Sequence, residues 1–292
     1  METEKNKVLP STLYLVATPI GNLSDMSERG KKVLREVDFI AAEDTRNSLK
    51  LLSCYDIHKE LISYHEHNKK SSGERIVARL LNGESCALIT DAGMPAISDP
   101  GEDIVRLCAE AGITVSVIPG ACAAVSALSV SGLRTRTFAF EGFLSANKSE
   151  RRRHLETIRH EGRTMIFYEA PHKLRATLSD LCEVFGAERR IALVRELTKL
   201  NEQIVRTTLA EAADLFAERE GRGEYVLIVE GEEEACGGAR PAESDALCFL
   251  SLQEHLDHYI EQGLSRMDAI KAVAKDRHVG KSEIYKQLCC DE

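Results

Sequence analysis

The sequence predicts two α/β domains followed by a small C-terminal helical module. Three observations predict this. First, β-branched runs alternate with helical patterns from residue 12 to 131, the signature of a mostly parallel sheet with helices on both faces. Second, turn-rich motifs stand where those strands end: Ala17-Thr-Pro-Ile-Gly-Asn22, Asp91-Ala-Gly-Met-Pro95 running into Ser98-Asp-Pro-Gly101, and Pro119-Gly-Ala121. Such loops gather on the carboxyl edge of an open sheet, where helix N-termini and strand ends leave backbone donors and acceptors free for a ligand. They imply a nucleotide-like cofactor held largely by main chain. Third, beyond an acidic, Gly- and Pro-containing stretch at Glu230–Ser244, the pattern over Leu247–Leu288 is helical throughout.

The elements follow in order. Thr12–Ala17 reads as a buried strand, Asp25–Glu36 as a helix, Phe39–Ala42 as a strand and Thr45–Cys54 as a helix. Leu61–Tyr64 is a strand, Ser71–Asn82 a helix ended by Gly83, and Cys86–Thr90 a strand. Glu102–Ala111 is a helix stopped by Gly112, Ile113–Ile118 a strand, and Ala121–Ser131 a small-residue helix stopped by Gly132. The pattern then changes: Arg134–Arg163 holds eight Arg or Lys against four Glu, about +4 in a chain of net charge −9. Its centre, Lys148–His154, begins a helix. Thr164–Tyr168 (strand), Pro171–Phe185 (helix), Arg190–Arg195 and Gln203–Thr207 (strands), Leu209–Arg219 (helix) and Tyr225–Val229 (strand) complete a unit richer in antiparallel pairing. The expected domains are therefore residues 1–133 and 134–231, with 232–292 as linker and helical module. Ser265–Lys275 and Lys281–Lys286 form a helix-turn-helix-like pair, open to nucleic-acid contact or to plain packing.

Composition narrows the function. With no tryptophan and 5% aromatic residues, stacking platforms for single-stranded nucleic acid are scarce, and the net charge of −9 argues against binding nucleic acid through the whole surface. The nine cysteines are scattered and include no Cys-x-x-Cys pair, so neither zinc nor a disulfide framework is indicated. A reducing, cytoplasmic compartment is expected, and the charged N-terminus has no apolar signal segment. Ala111–Leu133 contains no charged residue, but Pro119-Gly120 and four serines make it a strand, turn and buried helix rather than a membrane span.

An ordered series of motifs runs through the chain: Ala17-Thr-Pro-Ile-Gly-Asn-Leu23, Ala41-Ala-Glu-Asp-Thr-Arg46, His65-Glu-His-Asn68, Thr90-Asp-Ala-Gly-Met-Pro95, Ser98-Asp-Pro-Gly101, Pro119-Gly120, Phe140-Glu-Gly-Phe143, Ile166-Phe-Tyr-Glu169, Arg195-Glu-Leu-Thr-Lys199 and Glu224-Tyr-Val-Leu-Ile-Val-Glu-Gly231. With these motifs the chain resembles the tetrapyrrole methylase superfamily and, within it, the ribosomal RNA small subunit methyltransferase I family. It departs from the pattern at Met94, where threonine is expected, and at Ala121-Cys122 after Pro119-Gly120. The resemblance implies S-adenosylmethionine bound in a cleft between two α/β domains, 2′-O-methylation of a decoding-centre cytidine in 16S ribosomal RNA, a homodimer, and no membrane. No Gly-x-Gly-x-x-Gly of the Rossmann kind is present.

The resemblance places Asp91, Ala92, Gly93, Met94, Pro95, Ile97, Ala121, Tyr168 and Leu197 around the cofactor, and Pro19, Gly21 and Asn22 on the substrate side. Glycine at 93 lets main chain approach a ligand closely. Taken without the motif, Asp91 fits an Asx-turn or helix cap better, and Tyr168 a core tyrosine with its hydroxyl satisfied. Glu43, Asp44, Arg46, His65, His67, Asn68, Arg195, Glu196 and Lys199 all follow strand patterns at the same edge. Of these, Arg46, His65, Glu196 and Lys199 are the catalytic candidates, and Asp44 and Asn68 join the substrate group. Arginine at 46 suits bidentate phosphate binding, although Asp44-Thr45 also caps a helix. His65 is of the residue type that can accept a hydroxyl proton, although a lone histidine after a strand also fits a structural role. Lys199 would serve as a base if burial lowered its pKa. His65 and His67 lack a third ligand, so no metal is expected. Arg151, Arg152 and Arg153 read as a phosphate-binding face or as a solvated helix face. Two rival functions stand beside this reading: a small-molecule, tetrapyrrole-like methylase, and a non-catalytic ribosome-binding protein.

Overall fold

The computed structural model describes residues 7–232, 252–261 and 264–276. The chain divides into two compact units, Met1–Gly231 and Glu232–Glu292.

The first unit holds two five-stranded sheets. Strands β1 (Thr12–Val16), β2 (Phe39–Ala42), β3 (Glu60–Ser63), β4 (Cys86–Ile89) and β5 (Thr114–Ile118) form a wholly parallel sheet in the order β3-β2-β4-β1-β5. Helices α1 (Glu28–Glu36), α2 (Thr45–Cys54), α3 (Lys69–Leu81) and α4 (Gly101–Glu110) connect them. Because successive residues face opposite sides of a strand, the sheet feeds two cores. Tyr14, Val16, Ile40, Ala42 and Ile89 pack with Val33, Leu34 and Leu52 on one side, while Leu13, Phe39, Ala41 and Leu88 pack with Ile76, Leu80 and Ile104 on the other. Burying each Val, Leu, Ile or Phe among them is worth about 1.5–3 kcal/mol, which is why near-continuous apolar runs such as Phe39–Ala42 settle as central strands.

The second sheet is mixed. Strands β6 (Phe138–Phe143), β7 (Thr164–Glu169), β8 (Arg190–Arg195), β9 (Gln203–Thr208) and β10 (Tyr225–Val229) stand in the order β6-β7-β10-β8-β9. Only β6 and β7 are parallel; β10 runs antiparallel to both β7 and β8. Helices α6 (Lys148–Thr157), α7 (Leu174–Phe185) and α8 (Leu209–Leu215) cover one face through Leu155, Leu178, Leu181 and Leu209. The other face is covered by α5 (Ala123–Ser131), whose Ala124, Ala127 and Leu128 lie on Ile166, Val194, Val226 and Ile228. So the uncharged helix that precedes residue 134 packs on the sheet that follows it. Arg206 of β9 caps that helix, its Nε donating to the Ser131 carbonyl at 3.0 Å.

Several boundaries differ from the sequence reading. Strand β6 lies in the basic stretch, where no strand was expected. Phe140 and Gly142 pair with successive residues of β7, so Glu141 is the extra residue of a bulge that breaks the alternation. Helix α1 begins at Glu28 because the Ser27 hydroxyl accepts from Gly30 N–H at 3.0 Å, and Leu23–Asp25 is a separate 3₁₀ turn. Helix α8 ends at Leu215 rather than Arg219. Among the described residues no helix is long and apolar enough to cross a membrane.

In the second unit, α9 (Leu252–Glu261) and α10 (Arg266–Asp276) share a small core of Leu256, Ala269, Ile270 and Val273. The expected helix at Lys281–Lys286, most of the expected linker, and Cys236, Cys248, Cys289 and Cys290 lie outside the described residues.

Candidate active site

The carboxyl ends of the first sheet's strands and the facing edge of the second sheet border a cleft of about 560 Å³. One wall is the loop after β4, contributing Asp91, Ala92, Gly93, Met94, Ile97 and Asp99, with Ile20 after β1 and Glu43 after β2. The opposite wall is Phe143, Tyr168, Glu169, His172 and Leu197, each at the end of a strand of the second sheet, together with Glu224 and Tyr225. Since β10 is antiparallel to its neighbours, its first residue pairs with Glu169 and Arg195 and brings Glu224 to the edge where β7 and β8 finish.

The loop after β4 is closely constrained. Thr18 and Gly93 exchange backbone hydrogen bonds, and the Thr18 hydroxyl donates to the Thr90 carbonyl at 3.1 Å. Asp99 Oδ1 accepts from the N–H groups of Ala96 and Gly101, at 2.9 and 2.7 Å. These bonds hold Ala96 (φ +66°) and Ser98 (φ +64°) in the left-handed region. Across the cleft Glu196 (φ +51°) and Thr198 (φ +68°) adopt the same conformation, and non-glycine residues held this way gather at ligand sites. Gly93 itself has φ +88°, and a Cβ there would come within 3.3 Å of Ile20 and 3.7 Å of the Ala121 carbonyl. The main chain thus shapes a concave, largely apolar seat beside Met94 and Ile97, which suits the uncharged parts of a nucleoside cofactor. Pro95 is buried, and neither it nor Ala121 lines the cleft.

Tyr168 serves two purposes. Its hydroxyl accepts from Ala124 N–H at 3.1 Å, holding the start of α5, and its ring meets Phe140 and Phe143 edge-on, with centroids 5.1 and 5.4 Å away. Burial pushes the hydroxyl up to about 12, so it stays protonated.

Glu43 is the most informative carboxylate of the cleft. Burial pushes its carboxyl above the ordinary glutamate range, against a hydrogen bond from Thr90 Oγ1 at 3.1 Å, and the charges of Asp91 and Asp99 push the same way. His65 is near enough to oppose them electrostatically. That histidine's backbone N–H donates to Asn68 Oδ1 at 2.8 Å, while its Nδ1 is buried with no hydrogen-bond partner among the described residues. Asn68 also donates to the Ser63 carbonyl, so it fixes the His65 loop rather than facing the cleft. Asp91 is held by Asn47, whose Nδ2 donates at 3.0 Å.

Other expected residues stand differently. Arg46 turns back on Asp44 through two bonds, at 3.1 and 2.8 Å, with its side chain 86% exposed and outside the cleft lining. The same Asp44 caps α2, and its Arg46 bonds hold its carboxyl down at about 2. Lys199 bridges Glu196 at 2.9 Å and Glu224 at 2.8 Å. Burial alone would lower its pKa, but the two carboxylates outweigh burial and raise it, so Lys199 is a held ammonium and not the neutral base envisaged. Glu196 in turn accepts from Glu224 N–H at 2.9 Å, making this trio the tie between two loops of the second sheet. Gly21 packs directly on the Lys199 stem, Pro19 is buried, and Asn22 caps the 3₁₀ turn by accepting from Ser24 N–H.

The basic triplet divides. Arg151 is 4% exposed, its Nε donating to Asp180 at 2.8 Å and its Nη1 to the Ser145 carbonyl at 3.1 Å. It locks α6 to α7 and offers nothing to a phosphate, which corrects the expectation of a three-arginine face. Arg152 is paired with Glu183, leaving Arg153 as the exposed member.

Glu169, His172, Glu224 and Phe143 line the cleft without having been assigned a role from the sequence. A signal existed for three of them, since Phe143, Glu169 and Glu224 belong to the motif series.

The comparison that decides the family concerns residues 12–213, which match the family model of the tetrapyrrole (corrin/porphyrin) methylases. The chain belongs to the tetrapyrrole methylase family. It is 48% identical over 276 residues to ribosomal RNA small subunit methyltransferase I of Halalkalibacterium halodurans, covering 94% of this chain and 93% of that protein. The protein of the same name from Bacillus subtilis is 46% identical, with 94% and 92% covered. That of Pseudomonas aeruginosa is 48% identical, with 82% and 86% covered. Among solved structures, uroporphyrin-III C-methyltransferase from Thermus thermophilus shares the fold, with a TM-score of 0.54 at 20% identity over 75% of this chain and 94% of that one. This tetrapyrrole methylase is a methyltransferase that uses S-adenosylmethionine, and the apolar, backbone-shaped seat around Gly93 fits that cofactor.

Proposed function

We propose that the chain methylates the 2′-hydroxyl of a decoding-centre cytidine in 16S ribosomal RNA, acting in the cytoplasm as a homodimer. The names of its relatives and its motif series support this reading. The observation that carries it is the position of Glu43 on the wall of the same cleft as the Gly93 seat. A donor group and a proton acceptor are thereby presented to one substrate atom.

When bound, S-adenosylmethionine supplies a methyl group activated by its sulfonium. The chain's part is alignment, exclusion of water and removal of one proton. Residues 91–97 position the donor side, and alignment alone is worth on the order of 7–11 kcal/mol. Glu43 takes the ribose hydroxyl proton as the oxygen gains its methyl, and its upward shift makes it a better acceptor than an ordinary carboxylate. Pro19, Gly21 and Asn22 border the substrate side, and Arg46 and Arg153 contribute positive charge toward the RNA.

The test is transfer of labelled methyl from S-adenosylmethionine to small ribosomal subunits from cells lacking the protein. The expected result is label on one 2′-oxygen of a decoding-centre cytidine. Label on a base, on another nucleotide, or on no RNA at all while the cofactor still binds overturns the reading. Size-exclusion with light scattering tests the dimer.

A further inference from the structure

A second hollow, of about 250 Å³, opens on the face of the second sheet that carries α7 and α8. Its lining includes Arg195, Arg219 and Arg222, with Glu220 the only carboxylate among the lining residues. Tyr225 borders both this hollow and the cleft. The two cavities therefore lie on either side of one strand end.

The state of its arginines sets this hollow apart. Many guanidinium groups elsewhere are spoken for, Arg46 by Asp44, Arg151 by Asp180, Arg152 by Glu183 and Arg163 by Glu161, and what distinguishes the hollow is that three without a carboxylate partner line one cavity. Among the described residues, Arg195, Arg219 and Arg222 form no ion pair with any carboxylate. Arg195 is nonetheless fixed, its Nε donating to the Arg222 carbonyl at 2.6 Å, so one cation is pre-positioned beside the 222 loop. Three guanidinium groups against one carboxylate give a local charge of about +2 in a chain of net charge −9. A polyanion repelled by most of the surface is attracted here. The floor is apolar and contains the Phe216 ring, set edge-on to Tyr225 at 5.9 Å. Cation at the rim and ring at the floor is the combination that takes a single-stranded nucleotide, phosphate to guanidinium and base to the apolar surface.

We propose that this hollow binds a nucleotide flanking the methylated one in the same RNA strand. The proposal rests on the ribosomal RNA reading above. It gives the enzyme an anchor next to the cleft that Arg151 cannot provide.

The experiment uses the full chain carrying R219Q and R222Q together, both exposed positions, and measures binding to small ribosomal subunits and methylation over a range of salt concentrations. Expected are a rise in Kd and KM of about tenfold or more and a salt-dependence slope shallower by about one, since each lost phosphate contact removes about 0.7–1 from the slope. Affinity for S-adenosylmethionine should hold, and R219K with R222K should restore the slope. Unchanged Kd and slope in the glutamine variant overturn the proposal. Because binding is read separately from turnover, a wild-type enzyme that transfers no methyl overturns the functional reading while the hollow is still judged by its Kd.

Discussion

Thr18 and Gly93 exchange both of their backbone hydrogen bonds, at 2.9 and 3.1 Å, beyond the ends of two neighbouring parallel strands. The loop after β1 and the loop after β4 are thus one body. Gly93→Ala adds a Cβ at φ +88°, costing roughly 1–2 kcal/mol in the left-handed region. We expect at least a tenfold loss of S-adenosylmethionine affinity by calorimetry, accompanied by a higher KM for subunits. A change confined to the cofactor constant would show that the bridge transmits nothing.

If Glu43 accepts the proton as proposed, the enzyme has a defined pH dependence. Its pKa is raised by burial first, so the acid limb of kcat should lie above the ordinary glutamate value of about 4.3. Glu43→Gln should lower kcat by about 10²–10⁴-fold and abolish that limb. The linkage has the opposite sign to that of a salt-bridged carboxylate. A raised folded pKa stabilises below the unfolded value, and that contribution is lost as pH rises through the folded one. At neutral pH Glu43→Gln should therefore raise Tm while lowering kcat. A lower Tm would contradict this account.

Arg151 and Asp180 form a buried pair, at 5% and 3% side-chain exposure. Removing one partner strands a charge, so Arg151→Ala should destabilise by about 3–5 kcal/mol in urea titrations. Arg151→Met with Asp180→Leu should recover most of it. Arg153→Ala should leave the urea midpoint alone and weaken subunit binding, with a shallower salt dependence. If Arg151→Ala instead behaves like Arg153→Ala, the triplet is a single face after all.

Lys199 should act through position. Lys199→Gln frees Glu196 and Glu224, raising KM and lowering Tm without moving the acid limb assigned to Glu43. Its folded pKa is raised, so its stabilising contribution is present below the unfolded value and fades only as pH rises through the folded one. A basic limb of kcat that disappears in the glutamine variant would reinstate it as a proton acceptor.

The parallel sheet was plain in the sequence because its strands are buried on both faces and read as unbroken apolar runs such as Phe39–Ala42. Strand β6 was hidden by its own bulge, since the extra Glu141 shifts the alternation by one. The fate of Arg151 was hidden by distance, its partner lying 29 residues away. Glu224 escaped for a topological reason. Residues that follow strands are the natural candidates for a carboxyl edge, and it takes a reversed strand such as β10 to carry a residue that precedes a strand to the same place. The second carboxylate that keeps the Lys199 ammonium charged stands just before that same reversed strand.

The left-handed conformations of Ala96, Ser98, Glu196 and Thr198 bear on how this enzyme can be made more robust. At roughly 1–2 kcal/mol each they withhold about 4–8 kcal/mol from folding, against a typical net stability of about 5–15 kcal/mol. Glycine at Ala96 or Ser98 would relax the main chain and raise heat resistance, yet it would also let the cofactor loop wander among shapes that bind nothing. Thermostabilisation and catalytic readiness pull in opposite directions at these positions, and a heat-selected variant that keeps its turnover should carry its changes elsewhere.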